Sequence, residues 1–125
     1  MIFGLPGAFT PTCSARHLPS YVEKAGELKG KCVDEVACIS VNDPFVMGAW
    51  GRDQKATNIV RMMADGSAVF TKALGLDADF SKHNMGTRSN RYSMLVEDGV
   101  VTQLNLEGGG GFKVSGAETL LAQLG

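Results

Sequence analysis

Residues 6–13, with the sequence PGAFTPTC, connect an apolar stretch at residues 2–5 to a helical pattern that begins at Thr12. The apolar stretch is typical of a buried strand, and the Pro-Gly pair after it predicts a loop. Cys13 is therefore expected at the start of a helix, just beyond the carboxyl end of a strand. Unpaired N–H groups and the positive end of the helix dipole favour an anionic sulfur there. Because the thiolate is the nucleophilic form of cysteine, this stretch predicts a reactive site.

Helices and strands alternate after this loop. Apolar side chains recur at helical spacing up to Gly30, and Pro19 within them predicts a kink or a short break: Leu18, Tyr21, Val22, Ala25 and Leu28. Residues 33–41 predict a strand that is buried on both faces. Asn42-Asp43-Pro44 is a polar cap followed by a proline, which predicts a helix running toward Lys55. Residues 59–64 predict a third strand, and residues 67–74 a short helix.

The last third of the chain predicts a hairpin and a final helix. Residues 92–96 and 100–106 flank Glu97-Asp98-Gly99, a turn signal between two apolar strands. Ser115-Gly116-Ala117-Glu118 is a capping box that opens the last helix. The predicted order is β-α-β-α-β-α-β-β-α. This α/β order predicts a mixed sheet flanked by helices, which is the pattern of a thioredoxin-like fold.

Composition indicates one soluble domain, spanning residues 1–125. The chain has 125 residues, 44% hydrophobic and 20% charged, with a net charge of −1. Neither an apolar run of about 20 residues nor a basic signal-peptide region occurs. A near-neutral chain also lacks the basic stripe typical of nucleic-acid binding. We therefore expect a cytoplasmic protein that binds neither membranes nor nucleic acids.

The cysteines leave three interpretations open: a catalytic thiol, a redox pair or inert core residues. The three cysteines, Cys13, Cys32 and Cys38, form no CxxC motif, and the two histidines have no zinc-like spacing. A lone cysteine is more often a small buried hydrophobe than a nucleophile. The position of Cys13 between strand and helix favours the nucleophile instead.

Four ordered stretches resemble one family along nearly the whole chain. They are FGLPGAFTPTCSARHLP from residue 3, CISVNDPFVMGAW from residue 38, ADGSA from residue 64 and GTRSNRYSMLVEDGVV from residue 86. These stretches resemble the peroxiredoxins, in particular the type II, or peroxiredoxin-5-like, branch. The active-site pattern of that family, a proline, a threonine and a cysteine at fixed spacing, matches Pro6, Thr10 and Cys13.

The resemblance implies a role for each matched residue. Cys13 would be the peroxidatic cysteine, which attacks a hydroperoxide and becomes a sulfenic acid. Thr10 would hydrogen-bond the sulfur and the peroxide, and Pro6 would shield the sulfenate. The active-site arginine of the family matches Arg91, and a histidine common in the branch matches His17, which would shape the pocket by hydrogen bonding. Arg88 is a weaker candidate because loop arginines are usually solvated.

Cys38 has two interpretations. It occupies the place of a second cysteine in plant-like members of the branch, which implies a resolving cysteine that closes a disulfide with Cys13. It also lies inside an apolar strand, so a packed core residue is the alternative. In that case glutathione or a partner thiol would resolve the sulfenate. Nothing in the family pattern requires Cys32.

The resemblance implies a thiol peroxidase acting on hydrogen peroxide and alkyl hydroperoxides. Its reductant would be a glutaredoxin, thioredoxin or glutathione, and the chain would form a homodimer without a metal, haem or flavin cofactor. Family members normally carry a segment before the active-site strand, and this chain begins within that strand. The alternatives are a redox sensor without turnover, or an inactive fragment that keeps the peroxidatic pocket. Metal binding through the cysteines is a weaker hypothesis.

Overall fold

A five-stranded mixed sheet forms the centre of the computed structural model, which describes residues 1–108 and 112–124. The strand order is β3-β2-β1-β6-β7, in which β1, β2 and β3 are parallel and β6 and β7 are antiparallel to their neighbours. A separate two-stranded sheet pairs β4 with β5. The strands are β1 Ile2–Leu5, β2 Ala37–Ser40, β3 Arg61–Ala64, β4 Asp77–Asp79, β5 Thr87–Ser89, β6 Tyr92–Glu97 and β7 Val100–Leu106. The mixed sheet and the thioredoxin-like fold are confirmed.

Helices flank this sheet as predicted. They are α1 Leu18–Gly30, α2 Pro44–Asp53, α3 Val69–Ala73 and α4 Ala117–Leu124, and a short 3-10 turn covers Ser81–His83. The predicted cap of α2 is present: the Asp43 carboxylate accepts the N–H of Val46 at 2.8 Å, and Pro44 follows directly. In the part of the chain that the structure describes, no helix is long and apolar enough to cross a membrane.

The break predicted at Pro19 is a π-helical turn just before it, over Cys13–His17. The N–H of Leu18 donates to the carbonyl of Cys13, one residue further back than in an α-helix. A proline has no N–H to donate and its ring clashes with the carbonyl four residues earlier, so the helix widens there instead of continuing regularly. This wide turn carries Cys13 at its first position and His17 at its last.

Two apolar clusters cover the two faces of the sheet. The larger one joins β1 to α1, α2 and α4 and includes Phe3, Leu18, Trp50 and Leu120, all fully buried. The smaller one contains Ile39, Leu76, Tyr92 and Met94. Cys13 and Cys38 both belong to the larger cluster. The cysteine site therefore lies at the end of the central strand, next to the main core.

Several predicted boundaries were wrong. The second strand begins at Ala37 rather than residue 33, because the N–H of Val33 donates to Leu28 and closes α1. The third begins at Arg61, since Val60 still belongs to a turn closed on Ala56. The last helix begins at Ala117, and the Ser115 hydroxyl donates to Glu107. Strands β4 and β5 were not predicted, because three-residue strands without apolar alternation leave no periodic signal.

Candidate active site

The loop after β1 holds Cys13 at the end of the central strand. The N–H of Ser14 donates to the carbonyl of Thr10 at 2.9 Å, which starts the helical turn. The N–H of Ala8 donates to Asn42 Oδ1 at 3.0 Å, which ties this loop to the segment after β2. Cys13 itself is fully buried. The predicted strand–loop–helix placement of the cysteine is confirmed.

Arg91 reaches the sulfur of Cys13 from the residue just before β6. Its Nη2 lies 3.1 Å from Cys13 Sγ, and the arginine is only 6% exposed. A buried guanidinium keeps its positive charge. The pairing therefore favours a negative charge on the sulfur, and on any oxygen that forms next to it.

His17 holds the other side of the guanidinium. Its Nδ1 lies 2.8 Å from Arg91 Nη1, and its Nε2 lies 3.1 Å from the carbonyl of Ser115. Burial, with the positive charge of Arg91 adding to it, lowers the pKa of His17 to about 3, so the ring is neutral at physiological pH. Arginine only donates, so Nδ1 is the acceptor and Nε2 carries the proton that is donated to Ser115. The ring therefore positions Arg91, in keeping with the predicted pocket-shaping role.

Thr10 and Pro6 border this loop. The Thr10 hydroxyl donates to the carbonyl of Gly7 at 2.7 Å. The hydroxyl proton is therefore donated within the loop, and the hydroxyl oxygen can still accept a hydrogen bond. The resemblance implied that Thr10 hydrogen-bonds the sulfur and the peroxide. A hydroxyl whose proton goes to Gly7 cannot also donate to Cys13 Sγ, but it can accept from a peroxide O–H. Pro6 lies half-buried directly after β1.

The other two cysteines occupy different environments. Cys38 is fully buried in β2, opposite Phe3 of β1. Burial raises the pKa of the Cys38 thiol well above its ordinary value, and a negative charge on Cys13 raises it further. Cys32 is exposed, just after α1. None of the three cysteines forms a disulfide.

Sequence reasoning missed several residues that surround the site. Asn42 anchors the loop, and the carbonyl of Ser115 accepts from both His17 and the Tyr21 hydroxyl. Glu107, just after β7, holds the segment that contains Ser115. No local pattern marks these residues, because each acts on a partner that is distant in the chain. Arg88 lies half-buried in β5 rather than in a loop, and it donates to the carbonyls of Met85 and Val41.

Metal ligation finds no support in this region. Among residues 1–108 and 112–124, no three His, Cys, Asp or Glu side chains are placed to hold a metal ion together. The fold and the Cys13–Arg91–His17 arrangement define a cysteine-dependent redox protein of the thioredoxin-like class.

Comparison with known proteins identifies the family. The redoxin family model matches residues 1–121. Peroxiredoxin-2B of Arabidopsis thaliana is 51% identical over 124 residues, which cover 99% of this chain and 76% of the relative. Reduced Prx3 of Vibrio vulnificus in complex with hydrogen peroxide is 54% identical with a TM-score of 0.96, covering 99% of this chain and 77% of that one. The oxidised form of Prx3 is 55% identical with a TM-score of 0.89, covering 98% and 76%.

The chain belongs to the redoxin family and, within it, to the type II peroxiredoxins. It is a thiol peroxidase. The resemblance inferred from the sequence is confirmed.

Proposed function

We propose that Cys13 reduces hydrogen peroxide and small alkyl hydroperoxides, and that Arg91 is its electrostatic partner. The single observation that carries this proposal is the 3.1 Å contact between Arg91 Nη2 and the fully buried Cys13 Sγ. A buried thiolate is unstable without a compensating charge. The guanidinium supplies that charge at the atom that attacks.

The proposed step transfers one oxygen atom. The Cys13 thiolate attacks the terminal oxygen of ROOH, so that an S–O bond forms and the O–O bond breaks. Sulfur is oxidised by two electrons to the sulfenic acid, and the alkoxide takes a proton and leaves as ROH. One thiol then condenses with the sulfenic acid, releasing water and giving a mixed disulfide. A second thiol reduces that disulfide and restores Cys13.

Two groups are available to bind the peroxide beside the sulfur. Arg91 Nε is buried and has no hydrogen-bond partner among the described residues. It lies on the same edge of the guanidinium as Nη2, so a peroxide oxygen against the sulfur would find a donor there. The Thr10 oxygen, whose proton goes to Gly7, is free to accept the peroxide O–H. We assign Pro6 to shielding the sulfenate, in accord with its place at the start of the loop.

Turnover separates a peroxidase from a redox sensor. The chain has one tryptophan, Trp50, whose Nε1 donates to Ser14 Oγ at 3.0 Å, next to Cys13. Its fluorescence should therefore report oxidation of Cys13 by limiting hydrogen peroxide. With excess peroxide, we expect one oxidation per chain when no thiol is added and continued peroxide consumption when glutathione, or glutaredoxin or thioredoxin with its reducing system, is present. A single oxidation under every condition would contradict turnover.

We also propose Cys38 as a resolving cysteine that acts only after the turn at Cys13–His17 unwinds. Its burial in β2 and its raised pKa make it a poor nucleophile in this conformation, so a small external thiol competes with it. This structure resembles reduced Prx3 more than oxidised Prx3, with TM-scores of 0.96 and 0.89, so the two states of that relative differ in conformation.

Cys38→Ser should spare the first oxidation and change its product. By intact mass after peroxide and without added thiol, the unmodified chain should lose two hydrogen atoms as a disulfide forms. Cys38→Ser should instead gain one oxygen atom. Cys32→Ser, a matched change at an exposed cysteine, should behave as the unmodified chain. A disulfide that persists in Cys38→Ser and disappears in Cys32→Ser would transfer the resolving role to Cys32.

We further propose a homodimer that packs through loops around the active site. Phe9 in the active-site loop is 52% exposed, and Phe45 at the start of α2 is 87% exposed. The hydrogen bond from the N–H of Ala8 to Asn42 Oδ1 ties the active-site loop to the segment just before α2. Exposed large apolar side chains favour a protein interface. Light scattering that gives the mass of one chain would contradict the dimer.

We place the protein in the cytoplasm, although some relatives are chloroplastic or mitochondrial.

A further inference from the structure

Glu107, the first residue after β7, holds the 112–116 segment in place with a single carboxylate oxygen. Its Oε2 accepts the N–H groups of Lys113, Val114 and Ser115, each at 2.8 Å. The same oxygen accepts the Ser115 hydroxyl at 2.6 Å. Glu107 is 8% exposed, so it lies largely away from solvent.

The segment that Glu107 holds presents a carbonyl to His17. The carbonyl of Ser115 accepts from His17 Nε2 at 3.1 Å and from the Tyr21 hydroxyl at 2.6 Å. The Phe112 ring of the same segment lies 5.2 Å from the His17 ring. His17 in turn accepts from Arg91, which contacts the sulfur of Cys13.

Glu107 also contacts Arg91 through the backbone. Its own N–H donates to the carbonyl of Arg91 at 3.0 Å. The arginine is thus anchored twice by the same residue: at its main chain directly, and at its guanidinium through Ser115 and His17.

We propose that Glu107 is a positioning residue for peroxide reduction: its carboxylate fixes the Ser115 carbonyl, which keeps the proton of His17 on Nε2 and leaves Nδ1 to accept from Arg91. This role rests on the proposed function of Cys13 and Arg91. It gives Glu107 an effect on the reaction although the residue touches neither the sulfur nor the substrate.

The charge of Glu107 matters because one oxygen accepts four donors. Burial alone would raise the pKa of the Glu107 carboxyl, but the hydrogen bonds from Ser115, Val114 and Lys113 together lower it. The carboxylate is therefore the form that fits this segment. A neutral amide oxygen accepts hydrogen bonds more weakly than a carboxylate.

Glu107→Gln tests the proposal because it keeps an acceptor oxygen of similar size and removes the charge. Stopped-flow oxidation of Cys13 should slow about tenfold, equivalent to about 1.4 kcal/mol of barrier. Nitrogen-15 NMR of the histidine rings should change from one Nε2-protonated His17 to a mixture of tautomers. His83, which is exposed, gives the second ring signal and serves as the internal reference.

Asp65→Asn is the matched control. The Asp65 carboxylate also holds a neighbouring segment, accepting from the N–H groups of Phe70 and Thr71 and from the Thr71 hydroxyl. None of these partners contacts Cys13, Arg91 or His17 by a hydrogen bond within the described residues. Asp65→Asn should therefore lower the melting temperature as Glu107→Gln does, without slowing oxidation or altering the His17 tautomer.

Each outcome decides the proposal. A slower oxidation together with a mixed His17 tautomer, both absent from Asp65→Asn, supports the positioning role. An unchanged tautomer, or equal slowing in both variants, overturns it. The NMR measurement needs no peroxide, so a failure of Cys13 to react in the unmodified chain would refute the proposed function while the His17 tautomer still reports on Glu107.

Discussion

Cys13→Ser is expected to slow oxidation of the chain by hydrogen peroxide by at least about a thousandfold, because a serine hydroxyl stays protonated where the thiolate is the nucleophile. The side chain differs in one atom, and the site is fully buried, so the surrounding core should keep its packing. The hydrogen bond from Arg91 Nη2 is also kept, since a serine hydroxyl oxygen accepts a hydrogen bond as the sulfur does. The slower oxidation would therefore result from the missing nucleophile and not from unfolding of the chain.

The measurement is Trp50 fluorescence after rapid mixing with peroxide, with intact mass to count the oxygen atoms gained. Cys32→Ser is the matched control, because Cys32 is exposed and lies after α1, away from the site. It should oxidise at the rate of the unmodified chain. If Cys13→Ser retained a rate within tenfold of the unmodified chain, the assignment of the nucleophile would be wrong.

Arg91→Met should reduce the rate of Cys13 oxidation by about a hundredfold to a thousandfold, the range seen when one donor to a developing anion is removed. The change removes the charge that faces Cys13 Sγ and leaves a buried apolar side chain of similar length. It also leaves His17 Nδ1 without its donor. The first effect acts directly on the sulfur, since a thiolate without the guanidinium is a buried, uncompensated charge.

Arg91→Lys separates charge from geometry. A lysine keeps the positive charge but lacks the planar fork that contacts Cys13 and His17 together, so the rate should fall between those of Arg91→Met and the unmodified chain. Arg61→Met is the control, because Arg61 forms an exposed ion pair with Glu35. An exposed pair contributes little to stability, and its loss should leave the rate unchanged. Equal rates in Arg91→Met and Arg61→Met would remove Arg91 from the mechanism.

Local signals predicted those elements whose cause lies within a few neighbouring residues. The hairpin is one: Asp98 and Gly99 both adopt positive φ, of 50° and 79°, as a two-residue turn between twisted strands requires. The start of α2 is another, because the Asp43 carboxylate and the Val46 N–H that donates to it are three residues apart. The strand pair β4–β5 was not predicted, because neither strand shows the alternation of apolar and polar residues that indicates a strand.

The sequence by itself determined where the nucleophile lies and which family the chain belongs to. The order of strand, proline-containing loop and helix places Cys13 at the end of β1, and that order is a local property of residues 2–17. The same holds for the π turn, whose cause is Pro19 only two residues beyond it.

The resemblance pointed to Arg91 and His17, but only the tertiary structure decided how these groups and Ser115 meet around the sulfur. Cys13 and Arg91 are 78 residues apart, His17 and Arg91 are 74 apart, and His17 and Ser115 are 98 apart. The strand order places β6 beside β1, and Arg91, just before β6, therefore lies beside Cys13. The Glu107 carboxylate holds Ser115 next to His17. Such contacts depend on the pairing of distant strands, and no spacing along the chain encodes them. The physical reason is that charge and burial at the sulfur are set by neighbours in space.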